Sequence, residues 1–191
     1  MKISVNNNIT LFGKVVLPAI LCVVLTQYFI NTYWEYLVIL VFGISIVLFN
    51  YSKTKYNFIW SFLIAIILSY IVYFLSILIS GVIKFILMGG DLDKKIEGFI
   101  FGIDINVLFI LIPISIISPL LMFYCYRVIF DINKTNYFTL IKWISLVVLI
   151  FIGFVSNFYE DGYLYIYWQV IMALALQLII YQNEIFKRKT K

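Results

Sequence analysis

One uncharged stretch limits what this chain can fold into more than any other feature. Residues 57–88 form a run of 32 in which Lys84 is the only charged side chain. As an α-helix this run would be roughly 48 Å long, whereas the hydrocarbon core of a bilayer is about 30 Å thick. The run therefore predicts a membrane span whose far end projects from the membrane and carries the polar segment 89–95.

Composition extends this conclusion to the whole chain. Of the 191 residues, 64% are hydrophobic and 12% are charged, against about 25% charged in soluble domains. Six apolar runs follow one another, at residues 15–30, 36–49, 58–87, 107–130, 138–155 and 164–185. Since lipid offers no hydrogen-bond partners to open backbone, each run is expected to be helical. The sequence predicts an all-α, polytopic bundle of one domain, residues 1–191, with about six spans; four spans are the alternative, because the second run is short.

The basic residues predict the orientation of these spans. With six spans, Lys84, Lys94 and Lys95 lie on one side and the other 11 of the 14 basic residues on the opposite side. Those 11 are Lys2, Lys14, Lys53, Lys55, Arg127, Lys134, Lys142, Lys187, Arg188, Lys189 and Lys191. The positive-inside rule then places both termini in the cytoplasm. No small-residue cleavage site follows the first run before Trp34, so this run is expected to be a retained span rather than a signal peptide.

The segment 89–105 is the one sizeable element predicted outside the membrane. Gly89 and Gly90 are expected to end the long helix, and Asp91 or Asp93 to cap a new one. Apolar residues recur there at spacings of three and four, namely Leu92, Ile96, Phe99, Ile100 and Ile103. This spacing predicts a short amphipathic helix on the outer membrane surface. Such a helix either closes the top of the bundle or registers events at the outer face.

Small and uncharged polar residues form stripes inside the apolar runs. Ser61, Ala65 and Ser69 lie four apart, as do Gly98 and Gly102 in the outer segment. Small side chains let helices approach closely, so these five residues are predicted packing contacts within a protomer or between protomers of a homo-oligomer. A second stripe consists of Gln169, Ala173 and Gln177. Buried glutamines need hydrogen-bond partners, which indicates helix packing or, alternatively, a wetted path for ions or solutes.

Pro113 and Pro119 interrupt the fourth run. Each removes a backbone N–H, which in an α-helix frees the carbonyl group one turn earlier, at Phe109 and Ser115. The run is therefore predicted to be kinked or locally unwound, and the two prolines are candidate hinge residues. The alternative is that they are ordinary prolines of a membrane helix.

The residues that the chain lacks exclude several functions. There is no histidine, and no charged residue lies near the middle of a run, whereas intramembrane proton relays, voltage sensors and metal sites depend on such groups. Cys22 and Cys125 are expected at different depths, so the two are not candidates for a disulfide or a shared metal site. We expect no catalytic residue, no cofactor, no metal and no direct contact with nucleic acid; the chain is not expected to be an enzyme.

The basic residues on the cytoplasmic side have two interpretations. They attract anionic membrane lipid and hold the topology. They also offer a docking surface for a cytosolic partner protein, for which Lys187, Arg188 and Lys189 are the candidate residues. A chain without a soluble domain that signals inward requires such a partner.

In size, layout and composition, rich in Ile, Phe, Tyr, Asn and Lys and without catalytic residues, the chain resembles the KwaA family, membrane components of the Kiwa anti-phage defence system. The resemblance covers the whole chain and includes no diagnostic motif. It implies a multi-pass protein of the bacterial inner membrane, assembled as a homo-oligomer such as a tetramer, that senses phage infection. It also implies a KwaB-like cytosolic partner that binds DNA. The family is four-span, whereas six apolar runs occur here.

Two other classes of function fit the same bundle. A small-solute transporter subunit or channel also has about six spans, but the alanine-rich coupling face of vitamin-uptake subunits is missing from the first run, where Ala19 is the only alanine. A bacteriocin immunity protein needs nothing beyond packed helices. The identity of neighbouring genes would discriminate among the three classes.

Overall fold

The computed structural model describes residues 2–30, 37–87, 89, 99–100, 103–132, 136–156 and 163–186. Its helices are α1 Lys2–Ile30, α2 Leu37–Asn50, α3 Phe58–Leu87, α4 Ile105–Ile112, α5 Ser118–Ile129, α6 Asn136–Ser156, α7 Tyr163–Ile180 and α8 Gln182–Phe186. A 3-10 turn, Tyr51–Lys53, follows α2, and a π-helical turn, Pro113–Ile117, joins α4 to α5. All six apolar runs form helices, so the prediction of a helical bundle is confirmed.

Within the described residues, three helices are long and apolar enough to cross a membrane. They are Thr10–Phe29 within α1, Phe58–Leu87, which is α3, and Tyr137–Val155 within α6. Three shorter apolar helical stretches accompany them, Leu37–Lys53, Pro113–Ile129 and Ile166–Ile180. A full span takes about 20 residues, so these shorter stretches depend on their flanking turns to reach both membrane surfaces.

Most helices pack on the helix that follows them in the chain, and α7 packs back on α1. α1 lies along α7 and α2, α2 packs on α3, α3 on α5, and α6 on α7 and the π-helical turn. α2 approaches α3 closely at Gly43, where an added Cβ would lie 3.1 Å from Ser69 Oγ and 3.2 Å from the carbonyl oxygen of Ala65. The fully buried core includes Phe42, Ile46, Phe123, Tyr126 and Leu176.

Large apolar side chains on α3 and α6 point away from this core. They include Ile71, Phe74 and Leu78 on α3, and Val147 and Phe151 on α6, each at least half exposed. Helix surfaces of this kind suit lipid rather than water. The structure is therefore a helical bundle with membrane-length helices and an apolar outer surface, which supports membrane association.

The far end of α3 and the segment after it differ in how well they were predicted. Gly89 has a φ of 67°, and its N–H donates to the carbonyl of Ile86 at 3.3 Å, so the predicted glycine stop is confirmed. The predicted amphipathic helix is wrong at its C-terminal end, because β1 Phe99–Ile100 pairs antiparallel with β2 Ile103–Asp104. Glycine disfavours helix, while Phe and Ile favour strands, and in the sequence Gly98 precedes β1 and Gly102 precedes β2. Leu92, Ile96, Gly98 and Gly102 lie outside the described residues.

Several basic residues meet at one end of the bundle, called here the basic end. Lys14 Nζ lies 5.8 Å from the ring centroid of Tyr181, and Lys53 Nζ lies 4.6 Å from the same centroid. Lys55 contacts the last turn of α5 through the carbonyl of Arg127. Lys14 of α1, the α2–α3 turn, the end of α5 and the end of α7 thus share one side of the bundle, as the grouping of basic residues predicts.

Candidate functional site

The proline-bearing helix contains an irregular backbone turn. In the π-helical turn Pro113–Ile117, the N–H of Ser118 donates to the carbonyl of Pro113, five residues back rather than four. Pro113 begins this turn and Pro119 is the second residue of α5. Single π-helical turns are rare in proteins overall, and many of those that occur are at functional sites. We call α4, this turn and α5 together the broken helix. The π-helical turn lies where the sequence predicts a kinked or locally unwound helix.

Side chains from two other helices bind carbonyl groups of the broken helix. Ser80 on α3 donates its hydroxyl to the carbonyl of Phe109, which is the group that Pro113 leaves without a helical donor. Trp168 on α7 donates its indole N–H to the carbonyl of Ile114 at 2.9 Å.

The second of these carbonyls was not among those predicted. In α-helical register Pro119 frees the carbonyl of Ser115, which is the group expected from the sequence. In π-helical register the position five residues after Ile114 is Pro119, which has no N–H to donate. The carbonyl of Ile114 therefore also lacks a helical donor in this register, and Trp168 donates to it from α7.

Ser115 contributes to the site through its side chain instead. It is buried, and its hydroxyl has no hydrogen-bond partner in the described part of the chain. On the facing side, a Cβ added to Gly153 of α6 would lie 2.7 Å from Ser115 Oγ. A Cβ at this position would require the Ser115 hydroxyl to move, so α6 contacts the π-helical turn directly.

The other end of the broken helix is joined to the α2–α3 turn. Thr54 and Phe130 form an isolated antiparallel bridge, and the N–H of Lys55 donates to the carbonyl of Ile129 at 2.8 Å. Lys55 Nζ also donates to the carbonyl of Arg127 at 2.7 Å. We call residues 54–55 with residues 127–130 the strap. The strap joins the end of α5 to the basic turn that holds Lys53.

Lys53 is bound on its other side by the end of α7. Its ammonium group pairs with the carboxylate of Glu184 and lies over the ring of Tyr181. Burial raises the pKa of the Tyr181 phenol, and the Glu184 carboxylate raises it further. The phenol therefore stays neutral near pH 7, and its ring face attracts the cations beside it. The basic end thus connects α2, α5 and α7.

The predicted glutamine stripe lies inside the bundle, and its two glutamines differ in their hydrogen bonding. The hydroxyl of Thr26 donates to Gln169 Oε1 at 2.5 Å, and Gln169 Nε2 donates to the carbonyl of Val38 at 2.8 Å. The side chain of Gln169 on α7 is therefore hydrogen-bonded to both α1 and α2. Gln177 is fully buried, and neither of its amide atoms has a hydrogen-bond partner in the described part of the chain.

The predicted packing stripe on α3 is buried within its own chain. Ser61, Ala65 and Ser69 are at most 1% exposed, and the hydroxyls of Ser69 and Tyr126 lie 3.2 Å apart. The stripe packs α3 on α2 and α5, so a contact between protomers at these residues would require the helices to separate. Oligomerisation itself stays a prediction. Gly98, Gly102, Lys187, Arg188 and Lys189 lie outside the described residues.

Sequence reasoning missed three partners of the broken helix. Ser80 follows the serines of α3 at helical spacing, which gave a partial signal, and Gly153 is a lone glycine in an apolar helix, a pattern that indicates close packing. Trp168 is expected from its position to be an interfacial aromatic, yet its indole is directed at Ile114. In the described residues there is no group of three or more His, Cys, Asp or Glu that could hold a metal ion, and both cysteines are free thiols.

The fold and the site define a class of protein: a helical bundle with membrane-length apolar helices and, beside them, a helix that is broken by a π-helical turn and joined to a basic end. Comparison with known proteins yields no match among family models, curated proteins or solved structures.

Proposed function

We propose that this chain is a multi-pass protein of the bacterial inner membrane that passes a membrane disturbance to a cytosolic partner during anti-phage defence. Six spans, with both termini in the cytoplasm, put the basic end where such a partner would bind. The single observation that carries the proposal is the connection of the π-helical turn to the basic end through α5 and the strap. The defence role itself comes from the resemblance to the KwaA family.

The broken helix has the geometry of a relay. It is held near one end by Ser80, at its middle by Trp168, and at the basic end by Lys55. If the π-helical turn tightens to α-helical register, α5 shifts by about one residue, or about 1.5 Å and 100° of rotation. Such a change needs two packings of similar free energy, and a π-helical turn supplies two hydrogen-bond registers.

The output of the relay is the basic surface. A shift of α5 moves the strap and, with it, the turn that presents Lys53. We propose that a cytosolic, KwaB-like partner recognises this turn together with Lys187, Arg188 and Lys189, and that the membrane protein acts as a homo-oligomer. Because these contacts are electrostatic, recruitment of the partner weakens as salt concentration rises.

The test is phage protection in cells that carry this chain with its neighbouring gene. Trp168→Phe removes the indole donor to Ile114 and keeps an aromatic ring, so we expect loss of protection at normal protein levels. Pro113→Ala combined with Pro119→Ala should have the same effect, because both carbonyls regain helical donors. Trp60→Phe is the matched control, since Trp60 is 60% exposed on the outer face of α3.

Two outcomes would count against the proposal in different ways. Full protection in both the Trp168 and the proline variants would show that signalling does not pass through the broken helix. An absence of protection by the unmodified pair of genes would remove the defence role altogether. A solute channel or transporter subunit is the second candidate function, and the observation that favours it is the unpartnered, buried amide of Gln177.

A further inference from the structure

Residues spaced by four along α1, from Lys14 to Thr26, face residues spaced by four along α7 and its end, from Gln169 to Tyr181. Their alignment is fixed at both ends, because Lys14 lies over the ring of Tyr181 and Thr26 binds Gln169. The two helices run antiparallel with the same rise per residue. Between these contacts, Pro18 of α1 therefore lies at the depth of Gln177.

α2 forms the third wall of the same interior and runs parallel to α7. Two contacts, Gln169 with the carbonyl of Val38 and Lys53 with Glu184, share a sequence separation of 131 residues. The same separation places Ile46, next to Ser45, at the depth of Gln177, and Asn50 at the depth of Tyr181. Ser45 and Gln177 thus lie near one level, and Asn50 and Tyr181 lie near a second level closer to the basic end.

These four residues share an unusual property. Each is fully buried. Asn50 Oδ1, both amide atoms of Gln177 and the Tyr181 hydroxyl have no hydrogen-bond partner in the described part of the chain, and Ser45 Oγ has only the weak thiol donor of Cys22 beside it. Pro18 adds an acceptor near the depth of Tyr181, because it has no N–H to donate to the carbonyl of Lys14. Burying polar atoms without partners is costly, and folded proteins ordinarily satisfy such atoms with ordered water.

We propose that α1, α2 and α7 enclose a file of internal water molecules from the level of Ser45 to the Tyr181 hydroxyl. Water fits this set because it both donates and accepts, and the set contains donors and acceptors. An ion does not fit, because the side chains that line the interior are neutral and a buried charge needs a counter-charge.

The two ends of the file have different closures. At the far end, the hydrogen bonds of Gln169 with Thr26 and Val38 close the three helices together. At the basic end, the mouth is covered by the pair of Lys53 with Glu184, both partly exposed side chains. The file lies apart from the π-helical turn, and the proposal does not rest on the relay.

Hydroxyl-radical footprinting by brief X-ray irradiation tests the proposal on the full chain in lipid nanodiscs. Radicals formed from bound water oxidise the side chains beside it, even where bulk solvent has no access. Cys22, which lies beside Ser45, and Tyr181 are the reporters. Met122 is the control, because it is 2% exposed and belongs to α5. With each rate normalised to that in the unfolded chain, we expect Cys22 and Tyr181 to be oxidised several-fold faster than Met122.

A variant connects the result to the proposed lining. Gln177→Leu removes both unpartnered amide atoms and should lower the oxidation of Cys22 and Tyr181 several-fold. Ser145→Ala is the matched control, because the Ser145 hydroxyl is buried but already bound to the carbonyl of Ile141. Rates for Cys22 and Tyr181 as low as that of Met122 in the unmodified chain would overturn the proposal, and so would unchanged rates in folded Gln177→Leu. If Gln177→Leu does not fold, the unmodified chain decides.

Discussion

Gly153 and Gly81 are both helical glycines, but their surroundings differ completely. A Cβ at Gly153 would lie 2.7 Å from Ser115 Oγ, whereas a Cβ at Gly81 would have no neighbour within 4 Å. The first glycine sets the distance between α6 and the broken helix. The second contributes only the usual weakness of glycine in a helix, about 1 kcal/mol relative to alanine.

This contrast predicts opposite effects of the same substitution. Gly153→Ala should destabilise the folded bundle by about 1–3 kcal/mol through overpacking, while Gly81→Ala should leave stability unchanged or raise it slightly. Thermal unfolding in detergent measures both. Adding Ser115→Ala to Gly153→Ala should restore most of the loss, because it removes the clashing hydroxyl oxygen. No recovery in the double variant would show that another contact limits the approach of α6.

At the scale of helices, the broken helix shows what can be derived from sequence and what cannot. The position of the break follows from Pro113 and Pro119, because a missing N–H is a local property. The register inside the break does not follow, since it depends on whether the N–H of Ser118 reaches back four residues or five. The partners Ser80 and Trp168 lie 29 and 54 residues away from the carbonyls they bind, and only tertiary packing selects them.

The rest of the fold also contains features that follow from the sequence and features that do not. The six apolar runs and the stop at Gly89 were predictable, because lipid demands satisfied backbone and a left-handed turn favours glycine. The hairpin at residues 99–104 was missed, because apolar spacings of three and four also occur by chance in so short a segment. The stripe Ser61, Ala65 and Ser69 was recognised as a packing surface, but nothing in its spacing tells a neighbour in the same chain from one in another.

The proposed coupling between the π-helical turn and the basic end can be measured without phage. Trp168→Phe frees the carbonyl of Ile114, which should loosen the turn and, through α5, the strap. Hydrogen–deuterium exchange should therefore become faster in peptides that contain Lys55 and Phe130, whose N–H groups are bonded in the unmodified chain. Trp60→Phe serves again as the control. Unchanged exchange at the strap in Trp168→Phe would show that the two sites are not coupled.

At the scale of the whole molecule, the position of α1 bears on the number of spans. In the four-span alternative, the first two apolar runs lie partly in the membrane interface. The structure places α1 along α7, with contacts at Lys14 and again at Thr26, which are 12 residues apart. A helix aligned with a neighbour over roughly 18 Å is oriented like that neighbour. This alignment supports α1 as a span of its own, with α2 returning beside it.

Six spans and four spans then differ in where the connection between α1 and α2 lies. With six spans, a cysteine at Asn31 faces the outside together with one at Lys95, and a cysteine at Tyr56 or Lys189 faces the cytoplasm. In a Cys22→Ser, Cys125→Ser background, a membrane-impermeant maleimide should label Asn31→Cys and Lys95→Cys in intact cells. Tyr56→Cys and Lys189→Cys should label only after permeabilisation, because the basic residues around them hold that side in the cytoplasm. If Lys95→Cys is labelled in intact cells and Asn31→Cys is not, the result favours four spans. Labelling of Lys189→Cys in intact cells would overturn the orientation. The basic end would then be out of reach of any cytosolic partner.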